Sequence, residues 1–315
     1  MTARVLVSNM MMLKERPRFE SEIAHKGWEP VFADVDQYLS EEQCLQYAGQ
    51  FDAWLAGDDQ ITRKVLEAFL PRLKGIAKWG TGLDSIDLAA ARELSIPVLN
   101  TPAAFSEAVA ETALGYMLML TRYLLAVDQA VRRGEWPKPR GLGLYGRTLG
   151  LIGFGAIGQG IARRAKGCGM TILAYDPPIA AKGGITEGPL ADTEFVELDR
   201  LIAESDVVCV ACNLTPENRH IIHLGRLKAM KSDAILVNVG RGPLVDEAAL
   251  ADALASGEIA GAGLDVFEIE PLPADSPLRT LPNVVLGSHN ANNLNSAVEF
   301  VHANTMNNLA RILAG

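Results

Sequence analysis

Apolar and polar positions alternate in short blocks along this chain, and the period of the blocks keeps switching. Brief apolar runs at Arg4–Ser8, Pro30–Ala33, Asp52–Ala56, Leu73–Lys78 and Pro97–Asn100 read as strands. Between them the apolar positions recur at helical spacing, as in Thr62–Phe69 and Asp87–Leu94, with Asp87 placed as an N-cap. Strand alternating with helix predicts a small parallel-sheet domain. A single long helix is then expected over Ser106–Arg133, with Arg132 and Arg133 in its last turn and Gly134 ending it. Its middle, Leu114-Gly-Tyr-Met-Leu-Met-Leu120, is apolar on every face, so a domain junction or a subunit interface should cover it.

After a Pro- and Gly-rich loop from Trp136 to Gly143, a second series of strands is predicted. These are Leu149–Ile152, Thr171–Tyr175, Val207–Ala211, Ala234–Val239, Ile259–Val266 and Val284–Gly287, most of them separated by helices such as Asp246–Ala255, capped by Gly257. The tail, Asn295–Leu313, reads as an amphipathic helix that returns to the first domain. The expected architecture is α/β: a doubly wound Rossmann domain over 103–289, and a smaller flavodoxin-like α/β domain assembled from 1–102 and 290–315.

One junction in the second series carries more information than the rest. The strand Leu149–Ile152 runs directly into Gly153-x-Gly155-x-x-Gly158, then a helical stretch, then a strand ending on Asp176, 23 residues after Gly153. That order is what a dinucleotide-binding βαβ unit requires. Gly153 permits the tight turn, Gly155 leaves the backbone open to a pyrophosphate, and Gly158 lets the helix sit close on the sheet. The pyrophosphate would rest on the helix N-terminus. Asp176 can accept hydrogen bonds from an adenosine ribose and would repel a 2′-phosphate, so the expected cofactor is NAD rather than NADP.

In an open α/β sheet, ligands collect at the carboxyl ends of the strands. Those ends hold Gly153, Asp176, Cys212, Gly240-Arg241-Gly242, Asp265 and His289, and Cys212, Val239 and Gly240 are candidates to line the cofactor. Arg241, between two glycines, presents a planar fork of donors suited to the carboxylate of a 2-keto acid. His289 is placed to deliver a proton to a ketone oxygen as hydride arrives at carbon. A carboxylate beside it would favour the imidazolium; Glu270 and Glu268 both have suitable spacing. Cys209 and Cys212 spell C-x-x-C, but inside a strand pattern rather than at a helix N-terminus, so a redox pair is not expected. His220 and His223 show no carboxylate or cysteine company, and no metal is expected.

Composition narrows the classes. With 49% apolar and 21% charged residues the chain is globular rather than disordered, and its net charge of −9 disfavours nucleic acid or an anionic membrane as partner. The first residues show no signal-peptide pattern, and the eight-residue apolar run Ala113–Leu120 is too short to span a bilayer, so a cytoplasmic location is expected.

Taken together, Asn100-Thr-Pro, Ser106-Glu-Ala-Val-Ala-Glu111, Gly146 through Gly158, Leu214-Thr-Pro-Glu217, Val237 through Glu247, Gly263-Leu-Asp-Val-Phe-Glu268 and Pro282-Asn-Val-Val-Leu286 resemble the D-isomer-specific 2-hydroxyacid dehydrogenase family over essentially the whole chain. The resemblance implies that Arg241, Glu270 and His289 are the catalytic set, choosing Glu270 over Glu268. It also implies that Ala156 and Ile157 cover the pyrophosphate, that Asp265 holds the nicotinamide carboxamide, and that Thr81 faces the cofactor. The backbone N–H groups of Gly80, Thr81 and Gly82 would bind the substrate carboxylate. A small 2-hydroxy or 2-keto acid, bound between the two domains, and a homodimer are implied likewise.

Within the family, phosphoglycerate dehydrogenases look closest, through Gly80-Thr-Gly-Leu-Asp84 and Gly287-Ser-His-Asn290. Three departures stand against that reading. Ala56-Gly-Asp-Asp59 lacks the basic residue such enzymes often place there, the sequence to Gly315 leaves no room for a regulatory domain, and Gly-Ser-His replaces the more usual Thr-Pro-His. Lys78, with Lys138 or Arg140, would meet a phosphorylated substrate, while Asp58 and Asp59 would oppose it. Glyoxylate or hydroxypyruvate reduction is the alternative within the class. A non-catalytic NAD-responsive corepressor is the rival outside it, one that would not need all three catalytic residues.

Overall fold

The computed structural model describes residues 2–314. The chain forms two compact units: one runs to Phe105 and resumes at Asn295, and the other is Ser106–Leu294. The sequence puts these changes at 102/103 and 289/290. The first falls later because the Phe105 ring packs on Trp79, with centroids 5.5 Å apart. The second falls later because Asn290 and Ala291 donate their backbone N–H groups back to Asp265.

The first unit is built on β1 (Arg4–Val7), β2 (Glu29–Phe32), β3 (Ala53–Ala56), β4 (Ile76–Lys78) and β5 (Val98–Leu99). All pairs are parallel and the order is β2-β1-β3-β4-β5, the flavodoxin-like arrangement. Its core is aromatic and aliphatic: Trp54 stacks on Phe69 at 4.9 Å, both fully buried among Leu6, Leu66 and Ile76. Truncating Phe69 to Ala would cost roughly 3–5 kcal/mol. Helix Asn295–Ala314 packs against β3 and β4 and buries Val301, Leu309 and Ile312, so the tail completes this unit.

The second unit carries β6 (Thr148–Ile152), β7 (Thr171–Tyr175), β8 (Glu194–Phe195), β9 (Val207–Val210), β10 (Ile235–Asn238), β11 (Gly261–Leu264) and β12 (Val284–Leu286). Every pair is parallel, in the order β12-β11-β10-β9-β6-β7-β8. This is the doubly wound Rossmann order with one strand added, and it reverses between β6 and β9. The two-residue edge strand β8 is too short to leave a periodic signal in the sequence.

The expected helix over Ser106–Arg133 is two helices, Ser106–Thr121 and Leu124–Arg132. Tyr123 takes a left-handed conformation (φ 55°) and its N–H drops to the Leu120 carbonyl, three residues back. The loop at Gly141 lies against the Thr121 carbonyl, so closely that a side chain there would overlap it. The apolar middle is only partly enclosed. Tyr116 and Met117 are buried, Leu114, Leu118, Met119 and Leu120 are half-buried, and past the break Leu124 and Leu125 are 50% and 41% exposed. No helix among the described residues is long and apolar enough to cross a membrane.

Candidate active site

Because all seven strands of the second unit run the same way, their carboxyl ends share one edge. The residues read from the sequence at strand ends therefore stand in a row there. After β6 the chain turns on Gly153, whose φ of +94° suits glycine and where a Cβ would come within 2.7 Å of the Cys212 backbone. Gly158 touches the Gly153 carbonyl where any side chain would overlap it. Helix Ala156–Gly167 begins at Gly155 with no side-chain cap, and a side chain at Gly155 would point into open space. Its first N–H groups, including those of Ala156 and Ile157, are therefore available to a pyrophosphate.

Asp176, at the end of β7, closes the same turn. One oxygen accepts from Phe154 N at 2.8 Å and the other from Ile179 N at 3.2 Å, which caps helix Pro177–Ala180. Two protein donors leave lone pairs on this half-buried carboxylate for ribose hydroxyls. The turn, the uncapped helix and the fixed acid together fit a dinucleotide.

Cys209 is fully buried and Cys212 half-buried, and both are free thiols. Burial pushes the Cys212 thiol up to about 11, so it is neutral and inert. Val239 is buried, and Gly240 donates its N–H to the Asn238 side chain at 3.1 Å. The amide of Asn238 in turn donates to the Arg241 carbonyl at 3.0 Å. Asn238 thus clamps the turn presenting Arg241, a role the apolar strand pattern gave no reason to expect. Arg241 itself anchors through Nη1 to the Gly240 carbonyl at 2.9 Å.

His289 follows β12 with a left-handed φ of 55°, its N–H donating to the Asp265 carbonyl at 2.7 Å. Its Nδ1 meets Glu270 Oε2 at 2.7 Å, and the other Glu270 oxygen accepts from Phe267 N at 3.0 Å. Glu268 points elsewhere, accepting from Arg219 and His220 at 3.0 Å each and from Glu247 N at 3.1 Å. His220 therefore has the carboxylate partner that sequence spacing did not reveal, because the partner lies 48 residues away. His223 caps helix Leu224–Ala229 by accepting from Gly225 N. The buried Asp265 carboxylate receives Tyr116 OH, Asn290 N and Ala291 N.

The remaining candidates lie in the first unit. Lys78 is buried, donating to Asp58 Oδ1 and to the Trp79 carbonyl at 2.9 Å each. Gly80 takes a φ of +97° and its carbonyl accepts from Thr101 N. The Thr81 hydroxyl donates to the Thr101 carbonyl at 3.0 Å, and Asn100 holds the Thr81 carbonyl at 2.6 Å. The loop through Gly82 is thus tied to 100–101. Asp59 does not face a ligand, contrary to the sequence-based expectation: it is fully buried, accepting from Ser8, Leu39 N and Gly57 N. Burial raises its carboxyl above the usual range. The acid–histidine group Glu15, Glu299 and His302 has metal-like spacing, but Arg18 already holds both carboxylates.

A family model for the D-isomer specific 2-hydroxyacid dehydrogenase, NAD binding domain, matches residues 114–291. The chain is 40% identical over 302 residues to a glyoxylate reductase from Thermococcus onnurineus, covering 91% of this chain and 84% of that protein. It is 39% identical over 286 residues to a D-3-phosphoglycerate dehydrogenase from Methanocaldococcus jannaschii, covering 90% of this chain but 53% of that protein. Among solved structures, an NAD-dependent formate dehydrogenase from Staphylococcus aureus in complex with NAD superposes with a TM-score of 0.85 at 28% identity, over 98% of this chain and 95% of the other.

Proposed function

The chain belongs to the D-isomer-specific 2-hydroxyacid dehydrogenase family and is an NAD-dependent oxidoreductase, and on that premise we propose that it reduces a small unphosphorylated 2-keto acid, glyoxylate or hydroxypyruvate. The observation that carries the acid–base part is the 2.7 Å contact between His289 Nδ1 and Glu270 Oε2. With Nδ1–H donated to Glu270, the Nε2 proton of the imidazolium is the one delivered to the substrate oxygen. Glu270 is held in turn by Phe267 N, so the pair keeps its orientation between turnovers. Arg241, fixed by Asn238 and Gly240, pairs with the substrate carboxylate and polarises the adjoining carbonyl. Gly155–Gly158 would hold the pyrophosphate of NADH and Asp176 its ribose, and the cofactor so held would supply the hydride that reduces C2. Oxidation of the hydroxy acid reverses each of these roles.

The choice of an unphosphorylated substrate follows from Lys78. Its ammonium is 4% exposed and already paired with Asp58, so a phosphate monoester would have to displace a carboxylate to reach it. The backbone N–H groups of Gly80–Gly82 are proposed to take the substrate carboxylate, and Thr81 to face the cofactor. The name of the Thermococcus onnurineus relative agrees with this substrate class. A panel of glyoxylate, hydroxypyruvate and phosphohydroxypyruvate with NADH tests the reading. The first two should show the higher kcat/KM, and a clear preference for phosphohydroxypyruvate would replace it with 3-phosphoglycerate metabolism.

We further propose a homodimer. Leu124, Leu125 and Val131 on the second of the two helices and Trp136 in the following loop are exposed apolar side chains, and leaving such surface in water costs about 25 cal/mol per Å². Two-fold pairing would bury the same side chains on both copies.

A further inference from the structure

We propose that Tyr116 is a positioning residue for His289: its hydroxyl fixes Asp265, and through Asp265 the left-handed turn that carries the histidine. This rests on the reading of His289 as proton donor. Asp265 is 3% exposed and gathers the whole turn onto itself. Its carbonyl accepts from His289 N at 2.7 Å, Oδ1 accepts from Asn290 N at 3.1 Å, and Oδ2 accepts from Ala291 N at 3.0 Å. Consecutive N–H groups of residues 289, 290 and 291 therefore converge on one side chain and its backbone. His289 needs such support, because a non-glycine residue at φ 55° persists only where its surroundings over-determine it. Tyr116 OH adds a donor from outside the turn, reaching Asp265 Oδ1 at 3.2 Å from helix Ser106–Thr121.

The backbone around this contact is shaped to admit a phenol. A Cβ on Gly263, in β11, would come within 2.7 Å of Tyr116 Cβ. A Cβ on Gly287 would overlap both the Tyr116 hydroxyl and Asp265 Oδ1. Position 287 must therefore lack a side chain for the hydroxyl to reach its acceptor, which gives a physical reason for glycine in Gly287-Ser-His289. Burial and the neighbouring carboxylate push the Tyr116 phenol well above its ordinary range, so it remains a donor at any working pH. A phenylalanine would fill the space beside Gly263 equally well. The hydroxyl is what distinguishes positioning from packing.

Tyr116→Phe in the full chain is the test, with Gly287→Ala as a second variant aimed at the same oxygen pair. In the cofactor-free protein the His289 Cε1–Hε1 signal, read by NMR, should move or split in Tyr116→Phe. With NADH and the best keto acid, kcat should fall roughly ten-fold, the scale of a lost hydrogen bond to a charged acceptor. Tyr116→Phe/Gly287→Ala should be no slower than Gly287→Ala alone, since both changes remove one interaction. An unmoved His289 signal with wild-type kcat would overturn the proposal, whatever happens to Tm. So would multiplicative losses in the double variant, or a raised KM for NADH at unchanged kcat. If the wild-type protein turned over no 2-keto acid, the proposed function would fall, and the NMR result would still decide what Tyr116 does.

Discussion

Replacing Asp176 with Asn should collapse the preference for NADH over NADPH. The wild-type carboxylate cannot swing aside to admit a 2′-phosphate, because Phe154 N and Ile179 N hold its two oxygens. At a separation of about 4 Å, a pair of unit charges repels by ~1 kcal/mol in bulk water and ~4 kcal/mol at an effective dielectric of 20. Asp176 is half-buried, so the lower bound is the safer guide. A phosphate carrying close to two charges then costs about 2 kcal/mol, or roughly 30-fold in kcat/KM. Asn keeps a carbonyl acceptor for one of the two backbone donors and removes the charge. The assay is kcat/KM for both cofactors, at fixed ionic strength, in wild type and variant. Wild type should favour NADH by at least that factor, and Asp176→Asn should lose most of it, chiefly through improved use of NADPH. Equal use of both cofactors by the wild-type protein would refute the reasoning.

Glu270→Gln should move the alkaline limb of the kcat/KM profile for reduction to lower pH, because the imidazolium of His289 loses its carboxylate neighbour; an unmoved limb would leave Glu270 as a loop residue. Sedimentation should give twice the 33.8 kDa chain mass, and Leu124→Asp/Leu125→Asp should shift it toward the monomer; a wild-type monomer at micromolar concentration would contradict the dimer. His302 is buried and its imidazole is held below its ordinary pKa, chiefly by burial. Below about pH 6.5 the unfolded chain therefore binds a proton that the folded chain refuses, so stability should drop as pH falls through that value. Tm measured across that range should slope less in His302→Gln, and an unchanged slope would assign the acid sensitivity elsewhere.

Features encoded locally are legible in the sequence. Strand–turn–helix at Gly153–Gly158, the N-cap at Asp87 and the left-handed stop at Gly257 each depend on a few neighbouring residues. Features decided across long sequence separations are not. Glu268 and Glu270 have nearly the same spacing to any histidine in the chain; only folding sends one to His220 and the other to His289. Asp58 and Asp59 look alike in sequence, yet one is exposed and pairs with the buried Lys78, and the other is enclosed by Ser8 and two backbone donors. The break at Tyr123 was invisible because nothing there opposes a helix locally; the packing of Gly141 on the Thr121 carbonyl accompanies it. The polar roles of Asn238 and Tyr116 leave no sequence signal for a related reason, since their polar ends act only once β10, β11 and the Ser106–Thr121 helix are assembled.

The central claim is that His289 supplies the proton in reduction of a 2-keto acid by NADH, and His289→Asn measures it most directly. Binding of NADH, followed by fluorescence, should match wild type, because the glycine turn and Asp176 are untouched. Turnover of glyoxylate or hydroxypyruvate should fall by roughly 10²–10⁴-fold, the range general acid catalysis commonly contributes. Intact NADH binding with near wild-type kcat would contradict the account.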